Sequence, residues 1–162
     1  MIAKVAQAAR SAARLLVRSS AEERSASLRA MASELLNQQE SIIKANSIDL
    51  KAARENGISG AMLNRLDLGK DGIEKIASAV REVSEQPDPL NSIEDKQVRP
   101  NGLEVGRMRI PLGVIAMIYE SRPNVTSDAA ALCLRAGNAV ILRGGSEAFH
   151  SNQAIAEALR EG

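Results

Sequence analysis

Apolar residues in the first half of the chain recur at helical spacing. Ile2, Val5, Ala9, Ala12, Ala13 and Leu16 repeat every three or four positions and predict a first helix. Ser20 and Glu23, three apart, predict the start of a second. They form a capping box, in which each side chain accepts a free backbone N–H of the other residue. Leu28, Met31, Leu35 and Leu36 make its apolar stripe, and Ile42, Ile43, Ile48 and Leu50 continue the pattern to Asn56-Gly57, a helix stop. A short helix over Ala61–Leu66 and another over Ile73–Val83 follow. Pro87-Asp88-Pro89 ends the helical pattern, because two prolines this close remove backbone donors and clash with the preceding turn.

Beyond that break the period changes. Val98–Val105 (VRPNGLEV) predicts a hairpin, with Asn101-Gly102 supplying the positive φ angles of a tight turn. Leu112–Tyr119 (LGVIAMIY) is a continuous apolar run, the pattern of a strand buried on both faces. The polar loop Glu120–Asn124 (ESRPN) follows. Thr126 or Ser127 is then expected to cap a helix that carries Ala129–Leu134 and ends at Gly137. Ala139–Leu142 is a second strand, Arg143–Ser146 a tight loop, and Ser151–Arg160 a final helix. Strand, helix, strand, helix in this order predicts an α/β class with the two strands parallel.

Composition narrows the picture. With 44% hydrophobic and 25% charged residues the chain is a folding one. Tyr119 and Phe149 are its only aromatics, so the core must be built from Ala, Leu, Ile, Val and Met, which favours closely packed helices over a β-sandwich. A net charge of +1 gives no field to draw in nucleic acid or a membrane surface. The single cysteine excludes an internal disulfide and a multi-cysteine metal site, and accords with a cytoplasmic location. No apolar run approaches the roughly 18 residues of a membrane span. The N-terminal segment lacks the compact apolar stretch of a secretory signal, and its pattern runs into acidic segments without the break of a transit peptide.

The loops after the two strands are where chemistry is expected, since open α/β sheets bind ligands at the carboxyl ends of their strands. Arg143 offers a planar donor fork suited to phosphate. Gly144 and Gly145 let the backbone approach a ligand, Ser146 adds a hydroxyl, and the helix start beyond it offers free N–H groups to an anion. The competing reading is a plain strand-to-helix turn with a surface arginine. In the other loop, the Asn124 amide follows a restricting proline and can donate to a developing oxyanion, or it is a helix cap or turn residue. Arg122 can meet a carboxylate or phosphate, or it is a solvated charge or an ion pair with Glu120. Cys133 reads as a small packing residue rather than a nucleophile. His150 reads as a surface residue without metal partners, and Glu22-Glu23-Arg24 as a solvated helix face.

Pro111–Tyr119 (PLGVIAMIY), the ESRPNV segment, Cys133-Leu134, Gly137–Gly145 (GNAVILRGG) and Ala61–Leu66 (AMLNRL) together resemble the γ-glutamyl phosphate reductase (glutamate-5-semialdehyde dehydrogenase) family, a branch of the aldehyde dehydrogenase superfamily. The resemblance runs from the first helix to the last residue. It implies an aldehyde-dehydrogenase-like α/β fold, with residues 1–90 the N-terminal helical part of the cofactor-binding domain. Residues 91–110 would be a hairpin of the oligomerisation region, and residues 111–162 the first βαβα portion of a Rossmann-like NADP-binding sheet. The catalytic domain and its nucleophilic cysteine would lie outside the chain.

The implied reaction is NADPH-dependent reduction of L-glutamyl 5-phosphate to glutamate 5-semialdehyde and phosphate, in proline biosynthesis. It would proceed through a cysteine thioester reduced by hydride. Asn124 stands at the superfamily's oxyanion-hole asparagine. Glu120, Ser121, Arg122, Arg143, Gly144, Gly145 and Ser146 are the implied cofactor-binding residues. Arg143 takes the lysine position of a Lys-Pro-Ser/Ala-Glu motif, and Ser146, or Glu147 in a register one residue on, takes its glutamate position. A serine there leaves room for a 2′-phosphate, which points to NADP(H) over NAD(H).

Implied partners are L-glutamyl 5-phosphate, further copies of the full-length protein through Val98–Arg109, and glutamate 5-kinase. The free edge of that hairpin would be prone to aggregate. Another aldehyde or acyl-phosphate dehydrogenase, and a non-catalytic helical interaction domain, stand beside this reading. The purified 162-residue chain is expected not to reduce the acyl phosphate, and measurable turnover in an NADPH-consumption assay would overturn that expectation.

Overall fold

The structure, a computed structural model, describes residues 2–162. Five helices come first: α1 (Ile2–Leu16), α2 (Ala21–Asn37), α3 (Gln39–Glu55), α4 (Ala61–Leu66) and α5 (Gly69–Glu85). The hairpin β1 (Ile93–Val98) and β2 (Glu104–Met108) follows, then β3 (Val114–Ile118), α6 (Asn124–Arg135), β4 (Ala139–Arg143), a 3₁₀ turn at Ser146–Ala148 and α7 (Phe149–Glu161). One apolar core unites the two halves of the chain. Leu28 and Leu35 of α2, Ile42 of α3 and Ile73 and Val80 of α5 pack with Ala131 of α6 and Ile155 and Ala158 of α7. Fully buried alanines at 131 and 158 let helix backbones approach closely, which is how a core without aromatic side chains reaches interior packing density.

The capping box forms as expected. Glu23 N–H donates to Ser20 Oγ at 3.1 Å, and Ser20 N–H donates to the Glu23 carboxylate at 2.7 Å. The run from Leu28 to Leu50 is not continuous, however. It breaks at Gln38, whose backbone (φ −99°, ψ 15°) ends α2 and starts α3. Arg24 corrects the expectation of a solvated face, because it is buried and donates to Ser19 O at 2.5 Å and to Asp88 at 2.8 Å. Arg135, at the end of α6, is buried too and donates to Ser25 Oγ and to the Ala21 and Gln86 carbonyls. These two guanidiniums fix the proline-flanked connection after α5 to the start of α2.

The two sheets are small. β3 and β4 are parallel, in register from Val114↔Ala139 to Ile118↔Arg143. β3 is not buried on both faces. Ile115 and Met117 are half-buried, whereas Val114, Ala116 and Ile118 are exposed, Ile118 by 78%. With only two strands in the sheet, one face of β3 has no layer over it, and its apolar run reads as the fully covered kind without being covered. The hairpin pairs antiparallel, and every residue of both strands is exposed. Its turn differs from the expected one. Gly102 alone has positive φ (82°), Gly102 N–H donates to Arg99 O and Arg99 N–H to Leu103 O, both at 2.8 Å. That is a three-residue loop of a type I turn plus a glycine bulge, which suits Pro100 at the turn's first inner position. Helix α6 starts at Asn124, ahead of both expected caps, because Pro123 and Asn124 already take up the helical turn.

Backbone donation from Ser20, followed by its side chain, holds the Glu23 carboxyl below the usual value of 4.5. A depressed folded value means that Glu23 contributes stability above pH 4.5 that is lost as pH falls through the folded value. Glu23→Gln should therefore flatten the acid limb of a stability-versus-pH curve, and Ser20→Ala should cost about 1 kcal/mol in denaturant unfolding at neutral pH. An acid limb unchanged by Glu23→Gln would remove the capping box from that account.

Candidate functional site

Parallel pairing brings the exits of β3 and β4 side by side, and Tyr119 N–H donates to Arg143 O at 3.1 Å just past the last paired residues. The loops beyond them wall an open cleft of about 450 Å³. Of the residues singled out from sequence, Glu120, Ser121, Arg122, Arg143 and Gly145 line it, whereas Gly144, Ser146 and Asn124 do not. The part of the wall from α4 was not foreseen, whereas Glu147 is the alternative register of the expected glutamate position. Met62 and Arg65 come from α4, and the carboxylate in the loop after β4 is Glu147. The AMLNRL segment is legible as a helix, but nothing local to it tells which part of the fold it faces.

The two glycines have different reasons. A Cβ on Gly145 would fall 2.6 Å from Ser121 Oγ, 2.7 Å from Glu147 Oε2 and 3.2 Å from Ser121 N, so a side chain there would displace the contact between the two loops. There Ser121 Oγ donates to the Glu147 carboxylate at 2.5 Å. This bond is the main cause holding the Glu147 carboxyl below its usual range, with smaller help from its own backbone N–H, Ser146 and the Arg143 charge. A Cβ on Gly144 would strike the Asn152 amide and the Tyr119 ring. Those two side chains belong to one chain of hydrogen bonds. Thr126 Oγ1 donates to Asn152 Oδ1 at 3.0 Å, and the Tyr119 hydroxyl lies 2.6 Å from Thr126 Oγ1. With the threonine proton directed to Asn152, Tyr119 is the donor. Thr126, expected as a cap, instead ties β3, α6 and α7 together, and Ser127 Oγ donates back to Asn124 O at 2.7 Å.

The N-terminus of α7 is not open to an anion, contrary to the sequence expectation. Asp49 of α3, buried, already sits there. Its Oδ2 accepts from Ser151 N–H at 2.7 Å and from Ser151 Oγ at 2.6 Å, and its Oδ1 accepts from His150 N–H at 3.2 Å. These are the second and third helical residues, the N–H groups that a capping side chain normally takes, and a carboxylate there also meets the positive end of the helix dipole. His150 Nδ1 lies 3.2 Å from the same Oδ1. Asn46, one turn earlier on α3, holds the C-terminal end of α4. Its Nδ2 donates to Leu66 O at 2.8 Å and Ser151 Oγ at 3.0 Å, and its Oδ1 accepts from Leu68 N–H at 3.0 Å. One face of α3 thus sets both α4 and the start of α7 against the cleft.

Asn124 stands on the first turn of α6, where its Nδ2 donates to Asp128 Oδ2 at 3.0 Å. Burial raises the Asp128 carboxyl, and the Asn124 contact opposes that rise. Cys133 is buried in α6, and burial pushes its thiol up, the opposite of a nucleophile's environment. Among the described residues no group of three or more His, Cys, Asp or Glu could hold a metal ion, and no helix is long and apolar enough to cross a membrane.

The sequence profile of the aldehyde dehydrogenase family matches residues 1–162. The gamma-glutamyl phosphate reductase of Colwellia psychrerythraea is 52% identical over 160 residues, which cover 99% of this chain and 38% of that protein. The crystal structure of the Thermotoga maritima gamma-glutamyl phosphate reductase superposes with a TM-score of 0.93 at 38% identity, over 96% of this chain and 38% of that one. The Saccharomyces cerevisiae gamma-glutamyl phosphate reductase superposes with a TM-score of 0.91 at 34% identity, over 96% of this chain and 40% of that one. The chain spans well under half the length of these relatives.

Asp49 is the residue whose loss should be felt most in this region. Asp49→Ala leaves the Ser151 and His150 N–H groups and the Ser151 hydroxyl without their acceptor, and is expected to cost about 2–4 kcal/mol in denaturant unfolding. Asp49→Asn keeps one acceptor oxygen and should cost less. A cost below about 0.5 kcal/mol for the alanine variant, the range of ordinary surface substitutions, would show that the cap does not support the fold.

Proposed function

Because this chain belongs to the aldehyde dehydrogenase family, we propose that it forms part of an NADPH-dependent reductase that converts L-glutamyl 5-phosphate to glutamate 5-semialdehyde and phosphate. The observation that carries this reading is the cleft at the joined tips of β3 and β4, with Arg143 on its wall and the closest backbone approach made by a residue without a Cβ. The 52% identity to a gamma-glutamyl phosphate reductase supports the choice of substrate over those of other aldehyde dehydrogenases. A non-catalytic helical interaction domain would leave a parallel strand pair with a cationic cleft at its end unexplained.

The residues present fit a nicotinamide dinucleotide phosphate. Arg143 and Arg122 would supply guanidiniums to its phosphates, and Ser121 and Gly145 would stand beside its ribose. The cofactor, when bound, supplies the hydride. Of the two Asn124 amide protons, one is taken by Asp128, which leaves the other available to a developing oxyanion. Cys133 is a packing residue, so the thiolate that attacks the acyl phosphate comes from residues other than these 162. The hairpin supports self-association of the intact protein. It exposes Ile93, Val98, Val105 and Met108 beside unpaired strand edges, surface that a partner sheet would cover.

The test is cofactor titration by fluorescence in the intact protein that carries this chain. NADPH should bind more tightly than NADH, and Arg143→Ala should weaken NADPH about tenfold or more, the value of one charge-assisted phosphate contact. Equal binding of the two cofactors would defeat the NADPH reading. An unchanged NADPH affinity in Arg143→Ala would detach the cleft from the cofactor.

A further inference from the structure

We propose that α4 is a wall of the cofactor cleft and that its Arg65 determines preference for a nucleotide with a phosphate on the adenosine ribose. This rests on the cofactor reading above and adds to it a residue from a different part of the chain. Met62 and Arg65 are three apart in α4, hence on one face of the helix, and both line the cleft. The adjoining face is spoken for. Leu66 is buried and Leu63 partly so, against a small core of Leu50, Ala53 and Ala148. Ala148 directly follows Glu147, so α4 packs on the very turn that leaves β4. Asn46 holds the Leu66 carbonyl and the start of α7 at once, which fixes the helix that carries Arg65 relative to the loop that carries Arg143.

The charge in the cleft makes Arg65 necessary rather than supplementary. The N-terminus of α7 is already taken by Asp49, so the full positive charges open to an anion in the cleft are those of its side chains. Those cations are Arg65, Arg122 and Arg143, and none of them enters an ion pair among the described residues. Two carboxylates, Glu120 and Glu147, share the same wall. Arg122 and Arg143 match these two carboxylates in formal charge, so the added attraction for a second phosphate on the nucleotide comes from Arg65. Met62, 58% exposed on the adjoining turn, gives a polarisable apolar surface for a purine beside that phosphate.

Adenosine 2′,5′-bisphosphate and adenosine 5′-phosphate, which carry only this half of the cofactor, are the probes, titrated into the intact protein by calorimetry. In the wild type the bisphosphate should bind more tightly, and absence of that preference would sink the cofactor reading itself. Given the preference, Arg65→Met should weaken the bisphosphate about tenfold while changing the monophosphate less than about twofold, and Arg65→Lys should recover part of the loss. An unchanged ratio in Arg65→Met would overturn the role of Arg65 alone, leaving the cofactor reading intact. An equal loss for both nucleotides, with the circular dichroism unchanged, would also overturn it, by making Arg65 a general binding residue without a part in selectivity.

Discussion

A carboxylate at 4% exposure is costly unless the donors around it replace the water it has left. Asp49 finds its donors at the start of α7: two backbone N–H groups and a serine hydroxyl, at the end of the helix where negative charge is favoured. The arrangement works in both directions. Asp49 needs the helix terminus, and the buried Ser151 N–H at that terminus needs an acceptor that water does not provide. Because α7 follows β4 after a single 3₁₀ turn, fixing its first residues also fixes Glu147 and, through Ser121, the loop after β3. The geometry of the cleft is therefore set by a residue that does not line it.

This dependence explains what the sequence could and could not disclose. The capping box, the short helix Ala61–Leu66 and the parallel order of the two strands are local patterns, written within a few residues or in the alternation of elements, and the structure keeps all three. Asp49 acts on residues 101 and 102 positions away, and within its own helix it reads only as a polar residue of α3. Arg24 and Arg135 look like helix-surface charges until α2, α5 and α6 converge on them. Arg65 sits in a helix whose limits are legible and whose neighbour is not. In each case the missing information is which element lies opposite, a tertiary fact that local spacing does not carry.

The uncovered apolar surface has a similar origin. A strand such as β3, with Val114, Ala116 and Ile118 open on one face, carries the composition of a strand buried on both. The β1–β2 hairpin is exposed along its whole length. Neither surface is buried within the described residues, whereas the helical core contains no residue from either. The packed helices thus hold the fold, and the strands carry its exposed apolar surface.

The balance of charge in the cleft decides which nucleotide it suits. On sequence, Ser146 in place of a glutamate was the reason to expect room for a 2′-phosphate. The structure puts Glu147, not Ser146, on the wall, which weakens that reason, since a carboxylate repels a phosphate. Yet the Glu147 carboxylate is engaged by Ser121 and its charge is opposed by Arg143. What an incoming phosphate meets is then the remaining positive charge, and that charge depends on a helix contributed from far earlier in the chain. A cleft with Arg143 and Glu147 alone would favour a ribose with free hydroxyls. Under the role proposed for Arg65, the same cleft with α4 folded against it would favour a phosphorylated one.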